Sequence, residues 1–109
     1  MTMKLVIVES PYAGAVQQNV HYARLCLADC LKRGEAPIAS HLLYTQPNVL
    51  NDDIPEERAL GIAAGLAWRS VAEKAIFYVD RGWSSGMTAA LELYDREGFP
   101  YEFRKLEGY

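Results

Sequence analysis

The sequence lacks the features that mark several large classes of protein. Its 109 residues contain no basic run, and 11 Lys and Arg against 14 Asp and Glu give a net charge of −3. Duplex DNA or RNA is not an expected partner, because its phosphates require clustered positive charge. No apolar run approaches the ~20 residues that span a bilayer, and the N-terminus lacks the apolar segment of a signal peptide. We therefore expect a cytoplasmic protein with no membrane partner.

Cysteine is also scarce, since the chain contains only Cys26 and Cys30. Their spacing places them on one face of a predicted helix. No second cysteine pair and no histidine pair stands nearby, so we expect neither a metal site nor another cofactor. We interpret the two cysteines as reduced thiols in the core of a cytosolic protein.

Hydrophobic patterning predicts a single domain, residues 1–109, in which strands and helices alternate. The predicted strands are 4–8, 36–43, 75–79 and 99–103, and the predicted helices are 15–33, 55–73 and 87–97. The first strand is a near-continuous apolar run, which is typical of a parallel sheet covered on both faces. Pro100 favours an edge position for the last strand.

This alternation predicts an α/β fold, a small doubly wound parallel sheet of order 2-1-3-4 with helices on both faces. In such a sheet the strand order reverses between the first and third strands. Ligands bind at that point, outside the carboxyl ends of the strands. The segments expected at this edge are 9–14, 41–46 and 80–87.

The turn at 81–86 follows the third predicted strand and precedes a helix. The first N–H groups of a helix have no partner inside it, and the helix dipole favours negative charge there. Ser84, Ser85, Gly86 and Met87 are therefore candidates for holding a phosphate or a ribose. The same turn can instead serve only as a helix cap.

The loop after the first predicted strand lies at the same edge of the sheet. It contains Ser10, Pro11, Tyr12 and Gly14, and its proline and glycine break regular structure. The Tyr12 ring can stack on a nucleobase, or it can be a surface aromatic residue of a turn. We count all four residues as candidate ligand contacts.

The segment after the second predicted strand supplies His41, Tyr44 and Gln46. Histidine titrates near neutral pH, so His41 can act as a general acid or donate to an anion. A lone histidine near the end of a strand can also be a structural group.

Two carboxylates, Glu9 and Asp80, end adjacent predicted strands. A carboxylate at this edge can accept hydrogen bonds from sugar hydroxyls or oppose the positive charge that develops in glycosidic cleavage. Either one can instead cap a nearby loop.

Nearly the whole sequence resembles an uncharacterised family that is common in phages and bacteria and has no established activity. The resemblance is carried by Ser10-Pro11-Tyr12-Ala13-Gly14, Asn19 and residues 22–24, 34–37, 40–46, 55–58, 61–62, 64–68, 85–87 and 101–104.

At the level of the fold, the chain resembles the nucleoside 2-deoxyribosyltransferase group, which includes deoxynucleoside monophosphate N-glycosidases. The shared features are a Pro/aromatic/Gly turn after the first strand and, after the third, an Asp followed by Ser-x-Gly and a helix. In those enzymes a catalytic glutamate follows the turn glycine by about four residues, a position that holds Ala90 here. Glu92 is present two residues further on, about 200° round the helix.

These observations lead to three hypotheses about function. The first is a protein that binds a nucleotide or nucleoside, such as a sensor or a sponge for a nucleotide signal. The alternative is an N-glycosidase or deoxyribosyltransferase that cleaves the base–sugar bond, with Glu9, Asp80 or Glu92 as the working carboxylate. The third is an interaction domain with a vestigial cleft.

We also predict a homodimer or a larger homo-oligomer. Gly61, Gly65 and Trp68 form a stripe on the helix predicted over 55–73. Glycines four residues apart weaken a soluble helix, and they are tolerated where another backbone packs closely. That backbone can belong to a second subunit, or the stripe can pack against the sheet of the same subunit.

Overall fold

Four parallel strands form the only sheet in residues 2–109, the part of the chain that the computed structural model describes. The sheet has the order β2-β1-β3-β4, which confirms the predicted α/β fold and strand order. The elements in chain order are β1 Lys4–Glu9, α1 Val16–Lys32, β2 Glu35–Ile38, α2 Ser40–Leu43, α3 Pro55–Ala67, β3 Lys74–Tyr78, α4 Ser85–Glu97 and β4 Tyr101–Arg104.

The central strand β1 fixes the register of the sheet. Ile7 pairs with Ile38 of β2 on one side and with Ala75 of β3 on the other. All pairs are parallel, so the carboxyl ends of the strands meet at one edge. From β1 the chain crosses to β2 on one side, and it then returns to β3 on the other side of β1. The strand order therefore reverses between β1 and β3.

Side chains of the strands alternate between two buried layers. One layer packs against α1 and the other against α3 and α4, which confirms that helices cover both faces. The α1 layer contains Val6, Val8, Tyr22, Cys26, Cys30, Ile76 and Tyr78. The opposite layer contains Ile7, Ala75, Phe77, Met87, Ala90 and Tyr94.

Both cysteines lie in the α1 layer, as predicted from their spacing. Cys26 and Cys30 are fully buried free thiols. Burial raises the pKa of the Cys30 thiol to about 11, so this side chain remains a protonated thiol in the core.

The second strand is shorter than predicted. The predicted strand over 36–43 is wrong beyond Ile38, because Ser40–Leu43 forms the short helix α2. The amide of Tyr44 donates to the carbonyl of Ser40 at 2.9 Å and closes this turn. A short apolar run does not distinguish a strand from a helix, and here packing against α3 decides for the helix.

The glycines of α3 make that packing possible. A Cβ atom on Gly65 would lie 2.7 Å from Cβ of Ser40, and one on Gly61 would lie 3.3 Å from Cδ1 of Leu50. The Trp68 indole donates to the Tyr44 hydroxyl at 3.1 Å. The glycine stripe therefore accommodates α2 and the following loop of the same chain rather than the sheet, and the predicted homo-oligomer stays a prediction without this support.

The ends of two helices also differ from prediction. The helix predicted over 55–73 ends as an α-helix at Ala67 and continues as a single 3₁₀ turn, Trp68–Ser70. The last helix begins at Ser85 rather than at 87, because the Ser84 hydroxyl accepts from the Met87 amide at 3.1 Å and caps it.

Candidate functional site

A cleft of about 190 Å³ opens at the carboxyl edge of the sheet, between the end of β1, helices α2 and α3, and the N-terminus of α4. This is the sheet edge at which the topology predicts a ligand. Its polar lining comes from Glu9, Ser10, Tyr12, Ser40, His41, Tyr44, Thr45, Asp52, Glu57, Arg58, Ser84 and Ser85. Its apolar lining comes mainly from Leu50, Ile62, Leu66, Met87, Ala89 and Ala90.

Glu9 is the last residue of β1 and points to the α4 side of the sheet. The Tyr94 hydroxyl donates to Glu9 Oε2 at 2.6 Å, and Oε1 has no donor within residues 2–109. Burial raises the pKa of the Glu9 carboxyl to about 7, while the hydrogen bond from Tyr94 lowers it. Glu9 therefore exists in both protonation states near neutral pH, which suits a group that gives or takes a proton.

Ser10 and His41 form a second polar group beside Glu9. Ser10 Oγ lies 2.8 Å from His41 Nε2, although the residues are 31 positions apart in the sequence. The contact forms because β1 and β2 are neighbours and their carboxyl ends lie together. Burial lowers the pKa of His41 to about 4, so the imidazole is neutral at physiological pH.

The N-terminus of α4 forms another wall of the cleft, as its sequence predicts. Ser84, Ser85, Gly86 and Met87 all line the cleft. The Met87 amide is capped by Ser84, whereas the amides of Ser85 and Gly86 have no acceptor in the first turn of the helix. Among residues 2–109, the N–H groups of Ser85 and Gly86 are therefore available to a bound molecule.

The loop after β1 is held in place by Asn19, which the site hypotheses did not include. Its side-chain amide donates to the carbonyls of Tyr12 at 3.0 Å and Ala13 at 3.2 Å. The Arg81 guanidinium in turn donates to Asn19 Oδ1 at 2.9 Å. The available sequence signal for Asn19 was a polar residue inside an otherwise apolar helix face. The hydrogen bonds of Asn19 hold the loop in the position from which Tyr12 reaches the cleft.

Three other loop residues were predicted to contact a ligand, and none of them lines this cleft. Pro11 is buried. Gly14 and Gln46 line a broader groove beside the cleft, of about 760 Å³, that shares Tyr12, Asp52 and Arg58 with it. The Gln46 side chain donates to the carbonyl of Leu42 at 2.8 Å. Tyr44, in contrast, does line the cleft.

Two of the three predicted carboxylates lie outside the cleft. Asp80 accepts from the Tyr22 hydroxyl at 2.6 Å and from the Leu106 amide at 3.0 Å, so it ties the C-terminal segment to α1. Glu92 is exposed on α4 and does not line the cleft. Glu92 is separated from Ala90, which does line the cleft, by about 200° round the helix, and this angle explains its position.

A charged wall contributed by α3 and the loop before it was missed from the sequence. Arg58 Nη1 and Asp52 Oδ2 form an ion pair at 3.0 Å, and Glu57 lies beside them in the lining. The wall was missed because the second strand was predicted to continue to residue 43. The helix α2, which packs α3 against the cleft, was therefore not expected.

Ala90 also lines the cleft and is 8% exposed. This is the position at which the resemblance to deoxyribosyltransferases expects the catalytic glutamate. The cleft therefore takes no carboxylate from α4, and Glu9 is the carboxylate that a strand contributes to the lining.

Neither a metal centre nor a membrane span was found in residues 2–109. No group of three or more His, Cys, Asp or Glu side chains there is arranged to hold a metal ion. The helices over the same residues are all too short or too polar to traverse a bilayer.

The chain belongs to the family described as a domain of unknown function (DUF7768), whose sequence profile matches residues 4–104. No curated protein and no solved structure matches it.

Proposed function

We propose that the cleft binds a nucleoside or a nucleotide. The observation that carries the proposal is the meeting of Glu9, Ser10 and the N-terminus of α4 around one cleft at the point where the strand order reverses. Clefts at this point are the usual ligand sites of doubly wound sheets. A mostly apolar pocket with a few convergent polar groups is the usual form of a small-molecule site. A protein that binds such a ligand without converting it acts as a sensor of the nucleotide signal or as a sponge that sequesters it.

The size of the cleft supports a ligand made of rings. Its volume of about 190 Å³ is close to that of a cavity known to hold one aromatic ring, about 150 Å³. A nucleobase or a sugar fits the enclosed part, between apolar side chains such as Leu66 and Met87. The rest of the ligand then lies in the adjoining groove.

The charges of the lining favour an uncharged group in the enclosed part. Three carboxyl groups, Glu9, Asp52 and Glu57, face one guanidinium, Arg58, which is already paired with Asp52. A phosphate placed among them would be repelled. The place for a phosphate, when the ligand has one, is the N-terminus of α4.

Titration calorimetry with a panel of nucleosides and their 5′-monophosphates tests the proposal. We expect at least one member to bind, and Glu9→Gln to weaken it about tenfold or more, because a hydrogen bond to a charged group contributes about 1.5 to 3 kcal/mol. Glu92→Gln is the matched control, since it removes the same charge outside the cleft and should leave affinity unchanged. No binding across the panel, or equal affinity of both variants, would contradict the proposal.

N-glycosidic cleavage is the second candidate, favoured by the pKa of Glu9 near 7. In its protonated state Glu9 can give a proton to the departing base while water adds to the anomeric carbon. Asp80 and Glu92 are no longer candidates for this role, because neither lines the cleft. Chromatography for free base after incubation with deoxynucleosides and deoxynucleotides tests this reaction. Release of base that is abolished by Glu9→Ala supports cleavage. If no base is released, binding without cleavage is the remaining function.

A further inference from the structure

The Ser10–His41 pair has the arrangement of a nucleophile with its base. The two side chains come from different elements, the segment after β1 and helix α2, and meet at 2.8 Å inside the cleft. Ser10 is 6% exposed, so bulk water does not saturate its hydroxyl. A buried hydroxyl held against an imidazole is the geometry from which serine nucleophiles are activated.

The structure assigns to this pair a second activity, the hydrolysis of small carboxylic esters through an acyl intermediate on Ser10. This activity goes beyond the proposed binding of nucleosides and does not depend on it. The cleft supplies the three parts that such a reaction needs: a nucleophile, a base and donors for an oxyanion.

The imidazole is in the state that the first step requires. His41 is neutral at physiological pH, because burial lowers its pKa to about 4. In the tautomer that carries its proton on Nδ1, Nε2 faces the Ser10 hydroxyl and accepts its proton. Because burial disfavours the imidazolium, His41 holds that proton only until the alcohol departs. None of the charged cleft groups, Glu9, Asp52, Glu57 and Arg58, forms a hydrogen bond or ion pair with the imidazole within residues 2–109.

Donors for the oxyanion come from α4. Ser85 and Gly86 line the same cleft, and their backbone N–H groups have no acceptor inside the helix. Backbone N–H groups aimed at the developing negative charge are the usual means of stabilising a tetrahedral intermediate. Apolar side chains, among them Leu50, Ile62 and Met87, leave room for a short acyl chain.

The reaction balances with water as the only co-reactant. Ser10 Oγ bonds to the ester carbonyl carbon, its proton passes to His41 Nε2, and that proton then leaves with the alcohol as the ester C–O bond breaks. Water next attacks the acyl–Ser10 ester and gives a proton to His41. The acid departs, and the proton returns to Ser10.

An ethoxy fluorophosphonate probe tests the assignment on the whole chain. Intact mass should show a single adduct on the native protein, and peptide mapping should place it on Ser10. His41→Gln should slow labelling about 100-fold, the usual contribution of a general base. His21→Gln, which changes the other histidine on the exposed face of α1, and Ser70→Ala should both label at the rate of the unaltered protein.

Mapping on the unaltered protein makes the test independent of whether a cleft variant folds. Labelling no faster than that of heat-denatured protein, or an adduct on a residue other than Ser10, would overturn the assignment. So would equal labelling of His41→Gln and His21→Gln when both melt at the temperature of the unaltered protein. Failure of the calorimetric panel bears on nucleoside binding alone, so the two proposals fail separately.

Discussion

Two carboxylates follow the two central strands, and their surroundings differ. Glu9 ends β1 on the side of the sheet covered by α4, and it faces the cleft with one hydroxyl donor, Tyr94. Asp80 follows β3 on the side of α1, and it is tied by Tyr22 and Leu106. Glu9 is the last residue of β1 and pairs in register with Phe77, whereas Asp80 lies three residues beyond Phe77, and side chains alternate between the two faces along a strand. The face decides which carboxylate is available to a ligand and which one holds the fold.

The largest expected effect is a dependence of folding stability on pH that arises from Glu9. Glu9 has a pKa of about 7 in the folded protein against 4.5 as its usual value. The folded state therefore binds a proton that the unfolded state has lost, and stability falls as pH rises from about 4.5 to about 7. Glu9→Gln should remove this loss and raise the free energy of unfolding at pH 8 by about 3 kcal/mol, with little change at pH 4. Urea denaturation across pH measures it, and a variant less stable than the unaltered protein at pH 8 would contradict it.

Asp80→Ala should act in the opposite direction. It leaves the Tyr22 hydroxyl and the Leu106 amide without their acceptor, which costs about 1 to 3 kcal/mol of stability. Because Asp80 lies outside the cleft, the affinity for any nucleoside that binds should not change. Denaturation and calorimetry on the same preparation measure both quantities, and a loss of affinity without a loss of stability would reverse the roles of the two residues.

Tyr94→Phe should have a smaller effect, seen mainly at Glu9. It removes the hydroxyl that stabilises the ionised carboxylate, so the pKa of Glu9 should rise further. Stability at pH 8 should fall by about 1 kcal/mol. Carboxyl resonances in an NMR pH titration report the shift, and an unchanged midpoint would show that the hydrogen bond is not made in solution.

Glu92→Gln should have the smallest effect. The side chain is exposed on α4 away from the cleft, and surface substitutions of this kind change stability by about 0.5 kcal/mol or less. Melting temperature and nucleoside affinity should both match those of the unaltered protein. A clear loss of either would return Glu92 to the list of working carboxylates.

The framework of the fold could be predicted because its signals are local. Apolar runs such as residues 4–8 and 75–79 fixed the central strands, and the alternation with helices fixed the order 2-1-3-4. The cap at Ser84 and the segments at the sheet edge were likewise readable, since turn and cap residues act on their immediate neighbours. These signals were sufficient to place Glu9, Ser10 and Ser84 at one edge.

The features that sequence reasoning missed depend on contacts between distant segments. Helix α2 forms where a strand was predicted because Gly65 leaves room for Ser40. Glu9 and Asp80 have different roles because their side chains enter different layers of the core. Which layer each one enters depends on the hydroxyl donors Tyr94 and Tyr22 as well as on the strands. No local pattern encodes such pairings.

An NMR pH titration of protein labelled with ¹³C at the glutamate carboxyl carbons tests the role of Glu9 most directly. One resonance should titrate near pH 7, vanish in Glu9→Gln, and shift when a nucleoside is added. Titration of every glutamate near its usual pKa would contradict the geometry proposed for Glu9. A resonance near pH 7 that ignores every nucleoside of the panel would contradict its role in binding.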